Sequence, residues 1–585
     1  MWANTQNPED LTLAFSGKQD DIGNYGIGRF CKNDHAFELS EFDRPSPFGS
    51  RIASTDTDYT VLMAPDGSGF SFLGELSLTS TDALGKQWSI RDRETNSVWM
   101  PFTYASKNDH DEYSVRYLPG SITIRSVNAK VASTLTISTS PTETCELWKI
   151  CIQNLSAKER ALSLDICVNP HSSASGRMLV SNSGKTIALG QENGSSGLGL
   201  EKGILFLGST VKPSYYHTCS SDFYSMDKTV TGKFAPEVDD NPVLGLSLEM
   251  EIPIEGEAVT GFCFGIAENF EIALSTVEDH PGTLWIDEAF NQNRNEWKSV
   301  CSIVKCESED TAFDALVDTW LPYELLTEWL STWKMPDIFS TVGIVDTVRL
   351  ASPFSLELSI GVRYAVLEMA RKMVSTGLYS SDGLSITALS PDETLWLPYA
   401  TAEYVLETGD RAILDTPVHH PDTPICTLGD ICLRELRYYI EHQISAALPL
   451  HPASALPIEV FQPGISQNAC TNNLVHFPHS CEHENDFIRY MINSSAILKA
   501  SVNKISDWLA INGDQDDHGL MLCLYLAITR NILGLRLTES GLVFEPNLPQ
   551  NCGNVKVQRK LRNEVVSFAT GQGNQDTSAL ISKSC

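Results

Sequence analysis

The sequence predicts a mixed multidomain protein: an N-terminal β-sandwich, a helical linker, a helical domain and a small C-terminal β domain. Three observations carry that prediction. At 585 residues the chain is too long for one ordinary core, so two to four domains are expected. From about Ala36 to Ala267, apolar and polar residues alternate at a period of two, the pattern of half-buried strands. Near Pro281 the pattern changes to three-to-four-residue spacing, the pattern of helices.

In the first region, Leu135 and Ile137 alternate with Thr134, Thr136 and Ser138, and Trp148, Ile150 and Ile152 alternate with Lys149, Cys151 and Gln153. Turn clusters at Pro65-Asp66-Gly67-Ser68-Gly69 and Asn193-Gly194-Ser195-Ser196-Gly197 punctuate the runs. Many short strands without helical period indicate a large antiparallel sandwich over residues 1–275. A linker follows over 276–307, with a helix expected from Trp285 to Val304. The helical domain over 308–535 is expected to hold helices at Asp310–Trp333, Leu356–Val374, Thr394–Glu407, Thr427–Ile444, Asp486–Ala510 and Leu520–Leu533. In the second of these, Leu356, Ile360, Leu367 and Val374 form a stripe on one face. Pro391-Asp392 reads as a helix start and Gly409 as a helix stop. Residues 536–585 turn strand-like again, at Gly541–Phe544 and from Val555 to Phe568. No repeat of solenoid period occurs.

Charge narrows the range of partners. Lys and Arg total 42 against 74 Asp and Glu, a formal net charge of −32. A surface that acidic repels phosphate backbones and anionic lipid, so neither nucleic acid nor a membrane is an expected partner. The densest basic run, Lys556 to Arg562, is short. Residues Met1 to Glu9 lack the basic and apolar regions of an export signal, and the most apolar window, Gly519 to Leu535, is interrupted by Thr529, Arg530 and Asn531. The 15 cysteines include no C-x-x-C pair, so free thiols and a cytoplasmic location are expected. The sequons at Asn154, Asn193 and Asn493 then read as chance matches. Gly197, Gly199 and Gly203 miss the dinucleotide-binding spacing and read as a hairpin.

Several segments in order resemble one known family. Phe42-Asp43-Arg44-Pro45-Ser46-Pro47-Phe48 is similar to its T-P-R-P-W segment, and Ser68-Gly69-Phe70-Ser71-Phe72 to its G-G-G-Y-S-W. Asp310 to Tyr323 (DTAFDALVDTWLPY) resembles D-x-A-L-D-x-L-V-N-x-W-L-P-Y. Asp392 to Tyr399 (DETLWLPY) and Glu407 to Val418 (ETGDRAILDTPV) look nearly intact, and Ile532 to Arg536 matches the close of the family's barrel. The family is that of the cellobiose phosphorylases, glycoside hydrolase family 94, formerly glycosyltransferase family 36, and the nearest branch is the one acting on β-1,2-linked glucans. The resemblance implies an N-terminal sandwich, an (α/α)6 barrel and inverting phosphorolysis. In that reaction a carboxylic acid protonates the glycosidic oxygen while phosphate attacks the anomeric carbon.

The residues depart from the family where its chemistry sits. The D-W-N-D segment that carries the acid is missing between Val418 and the loop Pro463-Gly464-Ile465-Ser466-Gln467-Asn468-Ala469-Cys470, which resembles P-G-V-R-E-N-G-G. Asp507-Trp508, the one Asp-Trp pair, lies beyond that loop, and residues 308–535 are few for twelve barrel helices, so a shortened barrel is expected. The segment Gly343 to Leu350 stands for G-F-R-D-x-x-Q-D, with Val345 at the sugar-binding arginine, Leu350 at the last aspartate and Asp346 retained as a sugar contact. Thr332 stands at the phosphate arginine, while His476, and His518 with Gly519, stand as the remaining phosphate contacts. Losing both arginines removes paired oxyanion donors.

Glu459, Glu482, Glu484 and Asp486, near the loop, are the candidate general acids, although such residues in an acidic protein are ordinarily solvated surface. His476-x-x-His479-x-Cys481-x-His483 offers zinc-type ligands at no standard spacing and with Pro478 inside the run, so no metal is expected. Trp320, Trp333 and Trp396 could stack on sugar rings or fill a core, and Trp396 is carried forward as a substrate contact. No cofactor is implied, inorganic phosphate being co-substrate if the chain is active. The residues favour a degenerate relative over an active β-glucan phosphorylase or glucosyltransferase. The other reading is a non-catalytic carbohydrate-binding or interaction scaffold. A barrel short of helices exposes an apolar flank, to be covered by dimerisation or by the segment Pro424–Phe461, and a homodimer is expected.

Overall fold

The computed structural model describes residues 28–39, 42, 48–74, 76–80, 85–104, 110–171, 176–190, 203–219, 242–278, 280, 282–333, 341–375, 395–419, 426–442, 517–538, 541–549, 554–561, 564–570 and 579–580. They fall into two units, 1–298 and 299–585.

The first unit is built from antiparallel sheets. The largest runs, in spatial order, Gly28–Phe30, Phe37–Leu39, Glu112–Leu118, Ser121–Asn128, Val131–Thr139, Cys145–Asn154, Glu257–Ala267, Ile204–Ser209, Thr186–Gly190 and Arg177–Val180. A second sheet orders Tyr215–Cys219, Pro242–Ile252, Arg160–Val168, Lys86–Asp92 and Val98–Trp99. A third, smaller sheet holds Arg51–Ala53, Tyr59–Met63, Gly69–Leu73 and Leu76–Ser77. The alternation expected at residues 148–153 is present. Trp148, Ile150 and Ile152 are buried, opposite Phe262, Thr260 and Ala258 of the next strand, while Lys149, Cys151 and Gln153 face outward. Trp88 of the second sheet meets Trp148 of the first edge to face, with ring centroids 5.4 Å apart. The expected turn at residues 65–69 joins Tyr59–Met63 to Gly69–Leu73; the one at 193–197 lies outside the described residues, as do Gly197 and Gly199.

Glu146 sits where these sheets meet. Its carboxylate accepts from Lys86 Nζ at 2.7 Å and from Trp148 Nε1 at 2.9 Å, and it also accepts from the Ser71 hydroxyl. Tyr59 Oη lies 3.3 Å from it and 3.1 Å from the Phe264 carbonyl. The Lys86 and Glu146 side chains are wholly buried. Burial pulls the Lys86 ammonium below its ordinary value while Glu146 opposes that pull.

Helix α1 (Phe270–Ser275) is capped by the Asn269 side chain, which accepts from Ile272 N. Helix α2 (Leu284–Cys301) lies on the large sheet through buried Ile286 and Trp297. Asn293 Nδ2 donates to Ser138 Oγ at 2.9 Å, and Asp287 pairs with Lys149 at 2.6 Å. The helix ends at Cys301, and Val304–Glu307 forms a strand, which corrects the expectation of helix up to Val304. The reason is a distant partner, since Val304 pairs with Arg559 and Cys306 with Val557.

In the second unit that strand, β1 (Val304–Glu307), edges a small sheet with β2 (Lys556–Leu561), β3 (Glu564–Ala569) and Ala579–Leu580. The helix expected at Asp310–Trp333 is present as α3 (Thr311–Ala315), a π-helical stretch Leu316–Trp320 and α4 (Leu321–Trp333). Asp310 caps it, accepting from Phe313 N at 3.1 Å. Helices α5 (Thr341–Ala351) and α6 (Ser359–Ser375) follow. On α6 the expected stripe is only partly the buried face: Leu367 and Val374 are buried, but Ile360 is 86% exposed, and Val362, Val366, Met369 and Met373 complete the core side.

Helix α7 (Trp396–Thr408) is buried on nearly every side and packs against α5, α6 and α8 (Leu428–His442). It stops at Gly409 as expected, with φ 78° and the glycine N–H bonded to Val405 O. Helix α9 (Asp517–Leu526) runs into a second π-helical stretch, Ala527–Ile532. At Gly534 (φ 64°) a Cβ would lie 1.9 Å from the Glu545 carbonyl oxygen, so only glycine permits the return into Leu535–Thr538 and Gly541–Phe544. The start at Pro391-Asp392 and the helix at Asp486–Ala510 lie outside the described residues.

The ten cysteines whose side chains are described are free. Asn154, one of the sequon residues, is buried and donates its amide to Lys158 O, Ile252 O and Pro253 O. No helix among the described residues is long and apolar enough to cross a membrane.

Two outcomes follow from these buried groups. Glu146→Gln leaves the Lys86 charge without its counter-charge, and should cost the first unit about 3–5 kcal/mol; urea unfolding followed by tryptophan fluorescence measures it. An unchanged midpoint would refute the role given to Glu146. In the second unit, Asp318 Oδ1 accepts from Cys306 N at 2.6 Å, and burial pushes its carboxyl well above the usual range. A raised folded-state value means stability present at low pH is lost as pH rises. Asp318→Asn, which keeps the acceptor, should therefore melt above the parent at pH 7, with the gap closing towards pH 4. A gap that does not depend on pH would contradict this assignment.

Candidate functional site

The described part of the second unit brings four charged side chains together inside it. Glu403 and Glu407 stand one turn apart on α7, an otherwise apolar helix. Arg530 comes from the π-helical stretch after α9 and Arg559 from β2. Arg530 Nη2 meets Glu403 Oε2 at 2.9 Å, and its guanidinium lies over the Tyr399 ring, 5.4 Å from the centroid. Arg559 Nη2 donates to Glu407 Oε1. Beside them Lys560 donates to Glu357, and Lys556 pairs with Glu307 at 3.0 Å.

The local electrostatics follow from burial. Burial pushes the Glu407 carboxyl up, Arg559 opposes that, and Glu403 adds to it. For Arg530, burial works against the charge, but Glu403, Tyr399 and Glu407 together outweigh it, holding the guanidinium above its ordinary value. Tyr525 is raised by burial. At the end of α7, Tyr404 is pushed up to about 12 by burial and by its hydrogen bond to Asp410.

A cavity of about 40 Å³ adjoins the cluster, lined by the four charged residues with Tyr525, Thr529 and apolar side chains such as Val304 and Leu542. Pockets that hold drug-sized ligands run to about 300–1,000 Å³, well above the space the described residues leave here. Two carboxylates balanced by two guanidinium groups, all turned inward, fasten α7 to the last helix and to the C-terminal strand. That is a structural task.

Among the residues expected at a site, Trp396 is buried at the start of α7, with its ring edge-on to Tyr399. Trp320 is fully buried and edge-on to Tyr323, a core position. Asp346 lies on α5, and His518 and Gly519 on α9; only their backbone is described. The same holds for Thr332 and Val345. Glu459, Glu482, Glu484, Asp486 and His476, with the whole His476–His483 run, lie outside the described residues. Among the described residues no group of His, Cys, Asp and Glu is arranged to hold a metal ion.

The four-residue cluster escaped sequence reasoning, although a signal was there. Two acids one turn apart on an apolar helix require buried bases, and the densest basic run of the chain, Lys556 to Arg562, supplies one of them.

Comparison with known proteins gives a family match for part of the first unit. Residues 53–173 match the model of the glycosyl hydrolase 94 supersandwich domain. The matched stretch contains Tyr59, Ser71, Lys86, Glu146 and Trp148, the groups gathered at the meeting of the sheets. The cyclic beta-(1,2)-glucan synthase NdvB of Rhizobium meliloti (strain 1021) is 23% identical over 189 residues, which is 31% of this chain. The chain spans only 7% of that relative's length. Among solved structures, a chain designated a kojibiose phosphorylase from the human microbiome aligns with a TM-score of 0.45 and 9% identity, covering 98% of this chain and 94% of its own. A bacterial glucoamylase complexed with acarbose aligns at 0.44 and 11%, covering 86% and 73%.

If the buried charges lock the second unit together, Glu407→Met and Arg559→Met should each destabilise it by about 3–5 kcal/mol, because each strands the other charge. The double variant should cost clearly less than the sum. Additive losses in chemical unfolding would show that the two groups do not act as a pair.

Proposed function

We propose that this chain is a carbohydrate-active protein of the glycoside phosphorylase and glycosyltransferase type that binds β-glucans or their oligosaccharides and is degenerate in its catalytic residues. The chemistry of the type is inverting phosphorolysis or transfer of glucosyl units, with inorganic phosphate as co-substrate. One observation supports the reading above others: the family's domain is present at 53–173, yet Thr332 and Val345 stand where the family carries arginines. A guanidinium offers two parallel donors to an oxyanion; a threonine offers one hydroxyl and a valine none. The likeness to a cyclic beta-(1,2)-glucan synthase supports β-1,2-linked glucan as the ligand. A cytoplasmic homodimer is the matching expectation.

The test is phosphate-dependent release of α-glucose 1-phosphate from β-1,2-, β-1,3- and β-1,4-glucooligosaccharides, with the reverse reaction and sugar-dependent melting measured alongside. No turnover together with a raised melting midpoint in β-1,2-glucan is the expected result. Turnover above the blank would refute degeneracy, and substitution of Glu459, Glu482, Glu484 and Asp486 in turn would then locate the acid. Neither turnover nor a shift with any sugar would refute the carbohydrate reading.

A further inference from the structure

The buried pair Glu407–Arg559 is incompletely satisfied. Glu407 Oε2 and Arg559 Nη1 are both shielded from solvent and have no hydrogen-bond partner among the described residues. Both residues line the 40 Å³ cavity, with Thr529 and Tyr525 among the other polar side chains around it. The Glu407 side chain is 3% exposed and that of Arg559 12%. An orphaned carboxylate oxygen and an orphaned guanidinium N–H each carry a desolvation cost of about 1–3 kcal/mol, more when charged. A native fold rarely leaves two such atoms on residues that line one cavity.

Charge decides what can sit there. Glu403 and Glu407 oppose an anion, Arg530 and Arg559 oppose a cation, and the four charges cancel. The occupant must accept from Arg559 Nη1 and donate to Glu407 Oε2, so it is neutral and carries both functions. A water molecule needs roughly 10–15 Å³ of such space, so the cavity holds about three or four.

We propose that this cavity is a resident hydration site, in which ordered water bridges Glu407 Oε2 to Arg559 Nη1 and completes the link between α7 and the C-terminal strand β2. The site does not depend on the carbohydrate reading. It also gives the chain's densest basic run a purpose inside the protein: Lys556, Arg559 and Lys560 hold Glu307, Glu407 and Glu357, and water finishes the innermost of the three contacts.

A crystal structure of the full chain at about 1.5 Å tests this directly. The expected result is density within about 3.2 Å of both orphaned atoms, with no anomalous peak after bromide or rubidium soaks. An empty cavity, a bromide peak or a rubidium peak would each overturn the proposal.

Melting adds a solution test whose sign discriminates. Val304→Leu pushes one methylene towards the cavity, and displacing bound water should lower the midpoint by about 2–4 °C. The same change in a Glu407→Met/Arg559→Met background, where no polar atom is stranded, should be neutral or raise it. Lowering of equal size in both backgrounds would mean simple overpacking and count against the water. Raising in the parent would mean a dry cavity.

Discussion

The Glu146 carboxylate is the constraint on which the first unit depends. It lies on the strand Cys145–Asn154 of the ten-stranded sheet, and its partners come from elsewhere: Lys86 from the second sheet, Ser71 and Tyr59 from the third. A wholly buried ammonium is tolerable only beside a counter-charge with its remaining valences filled, and here one carboxylate meets that need for three sheets at once. It also fixes register. A slip of one residue along the strand would turn Glu146 outward and bring Lys149 or Cys145 to the wrong face, so the alternation of Trp148, Ile150 and Ile152 and the position of the ion pair enforce each other.

The second unit repeats this logic with different parts. Helix α7 is apolar around most of its circumference, which makes it the axis against which α5, α6 and α8 pack. Glu403 and Glu407 interrupt that surface, and the arginines that answer them arrive from more than a hundred residues away. The pair Glu407–Arg559 is therefore a long-range tie of the C-terminal strand to the central helix. Its value lies in specificity of assembly as much as in stability, since buried ion pairs recover little more than their desolvation cost.

Much of the fold was legible in the chain. Period-two stretches became strands wherever one face meets the sandwich core, and Asp310 and Gly409 bound their helices because a side-chain acceptor and a left-handed backbone are local requirements. Local pattern misled where a distant partner intervened. Val304 falls at the end of the helix expected from Trp285, yet it begins a strand because Lys556–Leu561 lies beside it. Ile360 fits a three-to-four stripe by spacing, but the neighbours of α6 lie around Val362, Val366 and Met369, leaving it in water. The site was less legible than the fold, because the four charges that meet beside α7 are separated in sequence and no motif joins them.

By itself the sequence determined the division into a β-rich first part and a helix-rich second part, the acidic surface, and a family resemblance that the domain at 53–173 bears out. Each of those follows from composition, period or local motif, which act over a few residues. Only the tertiary structure decided that Glu146 joins three sheets, that residues 304–307 pair with 556–559, and that Glu403 and Glu407 face Arg530 and Arg559 around a small polar cavity. The reason is physical: a buried charge is permitted or forbidden by whatever lies within a few ångströms of it, and that neighbour is set by folding rather than by position along the chain.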